Sequence, residues 1–307
     1  MNALVTGGAG FIGSHLVDAL LAAGHTVRVL DDFSTGRASN LAGVRGEIET
    51  VHADARDLAA AAAACAGVET VFHLAAIPSV AASFTDPVGV MSANFGSLLT
   101  VLEAARGAGV RRIVFASSSA VYGGAGEQPR RESMPPAPES PYASSKLIGE
   151  LQLDAWRTAF GLETVALRFF NVFGPRLDPE SPYAAVLALI ARAIRDGAPF
   201  TVNGDGEQTR DFVPVSDVAA ACLAAAAAAD ANGRVFNVGT GVETSVTTAL
   251  ATMMEIAGRE IPVRHIPGQP WDVRRSVADI SRLTALGWRP AAGFRAGCQA
   301  LLAEALA

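Results

Sequence analysis

The chain has 307 residues, half of them hydrophobic and 18% charged, which suits one large or two ordinary globular domains and excludes a disordered chain. Its net charge of −6 and pI near 5.4 offer no positive field for nucleic acid or an anionic membrane, so an anionic ligand needs local arginines. The three cysteines, Cys65, Cys222 and Cys298, lie far apart and fit neither a metal spacing nor a disulfide framework. With no metal set and no targeting segment before the first strand, a cytoplasmic protein is expected. The most apolar run, Val218 to Ala229, is shorter than the ~20 residues that span a bilayer, and its alanines suit a packed helix.

In chain order, Asn2 to Thr6 reads as a strand that runs into Gly7-Gly8-Ala9-Gly10-Phe11-Ile12-Gly13 and then a helical pattern through Leu21. Glycines 7, 10 and 13 at intervals of three let the turn form, let a pyrophosphate approach the backbone, and let the helix pack on the sheet. The amides of Phe11 and Ile12 at the helix start then face a diphosphate. A second strand, Thr26 to Leu30, ends in Asp31-Asp32, where an acidic residue binds both ribose hydroxyls of NAD and repels the 2′-phosphate of NADP. Arg37 is the one nearby residue that would favour NADP. The strand Glu49 to Ala53 ends in Asp54-Ala55, with Asp54 either at the adenine edge or capping the helix that begins at Asp57.

Alternation continues through Thr70 to Ala76, a helix from Pro87 to Arg106, and Arg112 to Ala116. Strands separated by helices imply a parallel, doubly wound α/β sheet with right-handed crossovers, and ligands at its carboxyl edge. Asp31, Asp54, Leu74-Ala75-Ala76 and Ser117-Ser118-Ser119 all fall at that edge.

Lysine occurs once among 24 basic residues, at Lys146, four residues after Tyr142 in Ser140-Pro141-Tyr142-Ala143-Ser144-Ser145-Lys146. Residues four apart share a helix face, and a compact ammonium fits beside a phenol where a forked guanidinium does not. A free phenol ionises near pH 10, so a phenolate at pH 7 costs ~4 kcal/mol, which nearby positive charge offsets.

With Thr6-Gly7-x-x-Gly10-x-x-Gly13, Ser117-Ser118-Ser119-Ala120-Val121-Tyr122-Gly123 and Tyr142-x-x-x-Lys146 in this order, the chain resembles the extended short-chain dehydrogenase/reductase family. Within it, the chain looks like the NAD-dependent nucleotide-sugar 4-epimerases over its full length. Leu167 to Arg176 and Gly204 to Phe212 are further stretches of that kind.

The resemblance implies a Rossmann-like domain, a smaller C-terminal α/β domain for a UDP-sugar, and epimerisation at C4 through a transient 4-keto sugar. Tyr142 takes the 4-hydroxyl proton, Lys146 and the nicotinamide cation together favour the phenolate, Lys146 also binds the nicotinamide ribose, and Ser118 bonds the sugar O4. Asn94 and Phe170 match cofactor contacts, although Phe170 also reads as core packing, and Ser117 is either a backbone-satisfying or a cofactor-side residue. Asn171 and Arg210 match diphosphate contacts, the alternative for Arg210 being a pair with Asp211 or Glu207. Val186, in Pro182-Tyr183-Ala184-Ala185-Val186, falls in the segment that contacts uridine, where Tyr183 also reads as an interdomain aromatic.

The family has an arginine three residues before Asp272; here that position is Gln269, leaving Arg274 or Arg275 to supply the second phosphate cation. Ser276, four residues after Asp272, is small enough to admit an N-acetyl group at the sugar C2. Rival activities are a UDP-glucuronate 4-epimerase, with Arg176 or Arg192 on the carboxylate, a nucleotide-sugar dehydratase or decarboxylase, and a non-catalytic NAD sensor. The dehydratase fits poorly because Ser119 and Ala120 stand where an acid and a base are needed. Expected boundaries are 1–172 for the NAD domain, with about 211–238 returning to it, and 173–307 for the substrate domain. The helices at 87–106 and 142–161 resemble the family's homodimer interface.

Overall fold

The computed structural model describes residues 1–44, 46–178, 185–268 and 273–307. The first half alternates strand and helix: β1 (Asn2–Thr6), α1 (Phe11–Ala22), β2 (Thr26–Asp31), α2 (Ser39–Ala42), β3 (Ile48–His52), α3 (Leu58–Cys65), β4 (Thr70–His73), α4 (Val80–Thr85), α5 (Pro87–Met91), α6 (Ser97–Ala108), β5 (Arg112–Ser118), α7 (Pro141–Phe160) and β6 (Glu163–Phe169). The second half contains β7 (Asn171–Phe173), α8 (Val186–Asp196), β8 (Phe200–Asn203), β9 (Thr209–Arg210), β10 (Phe212–Pro214), α9 (Val215–Ala227), β11 (Arg234–Val238), β12 (Thr244–Ser245), α10 (Val246–Ala257), β13 (Val263–Ile266), α11 (Ser281–Ala285) and α12 (Phe294–Ala305).

Seven strands form one parallel sheet in the order β3-β2-β1-β4-β5-β6-β11. The order reverses between β1 and β4, and that switch point opens a crevice at the carboxyl edge. The central strands carry continuous apolar runs because both faces are covered. Leu4, Val71 and Ile113 pack under α3 and α6, while Ala3, Val5 and Val114 pack under α1 and α9. The chain returns to this sheet late, as α9 and then β11 beside β6. Its alanines and Cys222 let α9 lie close against Leu16 and Leu20 of α1.

A separate core, with Leu187, Ile190 and Ile194 of α8, Met253 of α10 and Leu301 of α12, holds the second lobe. There β8 pairs with β13 and β9 with β12. All three thiols are buried, and burial pushes Cys65 up to about 11 and both Cys222 and Cys298 to about 12.

Two helices matter most for the site. The helical run from Pro87 to Ala108 is interrupted by a π-turn at Ser92–Gly96, which the apolar pattern does not reveal. Such turns re-aim a side chain, here Asn94. Helix α7 starts where Ser140 accepts the Ala143 amide at 3.1 Å with Pro141 at the first position, and stops at Gly161, left-handed at φ 72°. Gly149 lets α7 approach β5: a Cβ there would lie 2.6 Å from Cζ of Phe115. Gly149→Val should therefore lower stability by about 2 kcal/mol or more through overpacking, measured by urea unfolding; an unchanged midpoint would mean the approach is not tight.

Candidate active site

The glycine turn is built for close approach. Gly7 is left-handed at φ 70°, and a Cβ on it would lie 2.8 Å from the Ala75 amide nitrogen. A Cβ on Gly13 would strike the Gly7 carbonyl oxygen at 2.1 Å. Gly10 occupies the cap position of α1 and bears no capping side chain, so Phe11 and Ile12 begin the helix beside an open backbone cradle. Asp31, at the end of β2, is buried and accepts from the Ala9 amide at 2.8 Å and the Phe33 amide at 2.8 Å. The carboxylate is thereby locked onto the turn, beside which Leu74, Ala75 and Ala76 follow β4. An open helix start, a turn that admits no Cβ, and a fixed carboxylate form a donor and acceptor set that fits a dinucleotide. Arg37 reaches Asp178 at 2.7 Å, across to the segment after β7, instead of lying open for a 2′-phosphate.

Asp57 caps α3, accepting from Ala59 and Ala60, so the alternative of Asp54 as that cap is set aside. Asp54 instead forms a fork with Arg56 at 2.5 Å, and this hydrogen bonding holds its carboxyl below the usual range. Ala55 beside it is buried.

Tyr142 and Lys146 lie on the buried face of α7, against the end of β5. Lys146 Nζ donates to the Ala116 carbonyl at 2.8 Å and lies 5.0 Å from the Phe115 ring centre and 5.9 Å from that of Tyr142. Burial lowers its pKa from 10.5 to about 8. The Tyr142 phenol is pushed above its ordinary value by burial, opposed by a hydrogen bond with Ser118. Within the protein's own groups desolvation dominates at this phenol, and the Lys146 ammonium is turned to the Ala116 carbonyl. Ser118 also accepts the Ala120 amide at 3.1 Å, starting the short turn Ser119–Tyr122.

Several sequence-derived assignments change here. The Ser117 hydroxyl donates to Glu150 at 2.5 Å inside the protein, because alternation along β5 turns it away from Ser118. Asn94 accepts the Ile77 amide at 2.7 Å and donates to Ser145 Oγ at 3.1 Å, while Ser145 donates to the Tyr142 carbonyl at 2.7 Å. It braces the first turn of α7 rather than presenting a free amide. Phe170 is buried with Val121, Tyr122 and Ala278, which favours its packing role.

In the second lobe, Arg210 donates to the Thr209 and Val273 carbonyls, at 2.8 and 2.5 Å. Arg274 and Arg275, considered as a second phosphate cation, form exposed pairs with Asp205 and Glu243, at 2.7 and 2.9 Å. Arg176, considered for a carboxylate, is left-handed at φ 64° and reaches Asp18 of α1 at 2.7 Å. Val186 opens α8. Tyr183, Gln269 and Asp272 lie outside the described residues.

Sequence reasoning used Arg210 and passed over its neighbour. Asp211 is fully buried and accepts from Thr240 N and Oγ1, both at 2.7 Å, Gly241 N at 2.9 Å and Ala278 N at 3.1 Å. Its own backbone bonds the Ser276 carbonyl and the Asn171 amide, at 2.8 and 3.0 Å. One residue thus joins Asn171, Arg210 and Ser276, three of the expected substrate ligands. His73 was also missed. It is buried against Thr6 Oγ1 at 2.9 Å and stacked on Phe115, and burial, then the Lys146 charge, lowers it to about 3, so it is neutral.

A family model described as NAD dependent epimerase/dehydratase matches residues 3–239. The UDP-glucose 4-epimerase of Mycolicibacterium smegmatis is 41% identical over 97% of this chain and 96% of its own length. The UDP-N-acetylglucosamine 4-epimerase of Methanobrevibacter ruminantium, solved with UDP-N-acetylmuramic acid, superposes with a TM-score of 0.94 at 36% identity, covering 99% of this chain and 97% of that one. The UDP-glucose 4-epimerase of Thermus thermophilus, solved with NAD, gives 0.90 at 39% identity, covering 99% of both chains. This chain belongs to the NAD-dependent epimerase/dehydratase family.

The depressed lysine gives a measurable signature. Between about pH 8 and 10.5 the unfolded chain holds the Lys146 proton and the folded chain does not, so stability rises with pH across that window. On NAD-free protein, the stability of wild type relative to Lys146→Met should climb by up to about 3 kcal/mol over it. A flat difference would contradict a desolvated ammonium at this position.

Proposed function

We propose that the protein is an NAD-dependent UDP-hexose 4-epimerase, acting on UDP-glucose and UDP-galactose and admitting their N-acetylated counterparts. The observation that carries this reading is the buried Tyr142–Ser118 pair, with the sole lysine one turn along α7, at the carboxyl edge of a sheet whose first turn fits a dinucleotide. Gly7, Gly10, Phe11, Ile12, Gly13 and Asp31 hold the cofactor's phosphates and ribose, with Asp54, Ala55 and Leu74 to Ala76 along its path. NAD, when bound, supplies a hydride acceptor and donor at C4 and a positive ring near the phenol.

The chain's own groups manage the proton. Tyr142 Oη takes it from the sugar 4-hydroxyl, and Ser118 holds O4 and the phenol in one line of hydrogen bonds. A free phenol costs ~4 kcal/mol to ionise at neutral pH and burial adds to that at Tyr142, so the cost must be met by positive charge close by, from Lys146 and the bound cofactor. The same phenol returns the proton after the 4-keto sugar has turned to present its other face, so the cycle has no net oxidation. Asn171, Arg210, Val186, Ser276 and Asp272 form the expected UDP-sugar set.

A glucuronate-specific reading is weakened because Arg176 is engaged with Asp18. The small Ser276 is consistent with an N-acetyl group without requiring one. Homodimerisation is supported by exposed apolar side chains on adjoining helices, Phe84 and Val88 of α4 and α5 and Leu151 of α7.

Purified enzyme with NAD should interconvert the C4 epimers of UDP-glucose, with UDP-GlcNAc and UDP-glucuronate tested alongside; failure on all of them would overturn the reading. Tyr142→Phe should cut kcat by at least a thousandfold while NAD stays bound. Lys146→Arg should cut kcat at least a hundredfold, because the larger fork cannot occupy the site of a point charge. Near-normal turnover of either variant, followed by coupled detection of the epimer, would remove that residue from the chemistry.

A further inference from the structure

Tyr142 and Lys146 are the first two members of a longer stripe. Glu150 follows one more turn along α7, so residues 142, 146 and 150 share one face, and all three are buried. Each faces a different residue in the last three positions of β5: Tyr142 lies beside Ser118, close enough for that hydroxyl to act on its phenol, Lys146 donates to the Ala116 carbonyl at 2.8 Å, and Glu150 accepts from the Ser117 hydroxyl at 2.5 Å.

The third rung has a second support. Ser117 stands in register with Arg168 on neighbouring β6. Arg168 is buried and grips Glu150 with two bonds, Nε to Oε1 at 2.9 Å and Nη2 to Oε2 at 2.7 Å. Its guanidinium lies 4.6 Å from the ring centre of Tyr122, whose hydroxyl donates to Asn237 Oδ1 of β11 at 2.7 Å. One carboxylate on the catalytic helix is therefore clamped by two adjacent strands of the sheet. A buried ion pair is weak evidence for stability, since apolar residues of similar volume often do as well. A bidentate fork does fix direction and distance.

We propose that Glu150, clamped by Arg168 and Ser117, is a positioning residue that sets the rotation and axial register of α7 against β5, and so aligns Tyr142 with Ser118 for proton transfer. The catalytic part of this inference rests on the epimerase reading; the geometric part does not. Neither side chain touches the reacting atoms. Arg168 also neutralises Glu150, which leaves the Lys146 ammonium to Ala116 and the site instead of an acid one turn away.

The test uses full-length holoenzyme and the paired variant Glu150→Leu/Arg168→Met, which removes both charges together and avoids a stranded one. Ser117→Ala is a milder second variant that keeps the ion pair. The readouts are kcat and KM for the UDP-sugar, and the Cζ resonance of carbon-13-labelled Tyr142 at pH 7, assigned by its loss in Tyr142→Phe. In the paired variant kcat should fall at least tenfold with KM changed less than threefold and NAD retained. The Tyr142 resonance should move toward its position in Ser118→Ala, where the hydrogen bond is missing. Ser117→Ala should move both readouts the same way by a smaller amount.

A Tyr142 resonance left in place in both variants would overturn the proposal whatever the activity. A moved resonance with unchanged kcat would overturn its catalytic part. If wild type turns over no UDP-sugar, the epimerase reading fails while the resonance still decides whether the clamp sets the geometry. If the paired variant does not fold, Ser117→Ala decides alone.

Discussion

Helix α7 can lie against the carboxyl end of β5 because position 149 has no side chain, and the geometry of the site descends from that approach. Phe115 fills the space where a Cβ would be. With the helix at that distance, an ammonium, a phenol and a carboxylate from successive turns all reach the strand, and none remains in water. A slightly more distant helix would admit solvent, and the short bonds to Ala116 and Ser117 would lengthen together. Packing density here is therefore a condition for the chemistry as well as for stability.

Burial then determines which groups carry charge. His73 is held neutral, Lys146 sits only about one pH unit above neutrality, and the Tyr142 phenol is protonated in the protein alone. Glu150 is paired with Arg168. Lys146 is still mainly protonated at pH 7, so its ammonium and the charge brought by a ligand act on the phenol together. This is the low-dielectric logic of a preorganised site, in which groups are desolvated before the substrate arrives.

What could be read from the sequence was local. The glycines of the first turn declare themselves because their spacing reflects backbone geometry within a few residues. Tyr142 and Lys146 stand out because a helical interval joins them and lysine is otherwise absent. The alternation of strand and helix led to the parallel sheet. What could not be read depends on residues far apart in the chain that meet through register. Ser117 reads from the sequence as a backbone-satisfying or cofactor-side group, and its bond to Glu150, in register with Arg168, comes only from β5 alternation and β6 pairing. Asn94 belongs to a π-turn that the apolar pattern hides. Asp54 and Asp57 differ by under one turn, and only the Ala59 and Ala60 amides decide which is the cap. Asp211 was quoted in its motif, but its neighbour Arg210 drew attention because an anion needs a cation. Four donors converging on one buried carboxylate are visible only in three dimensions.

The solitary lysine has a consequence outside catalysis. Every side-chain cation on the outer surface other than histidine is a guanidinium, since the other 23 basic residues are arginines and Lys146 is buried. The surface therefore has no ε-amine to be acylated, methylated or conjugated. Lysine-directed covalent chemistry has one address on this chain, and reaching it means opening the buried face of α7 beside Tyr142. For this protein such a modification cannot be a peripheral mark: it either does not occur or it breaks the packing between α7 and β5.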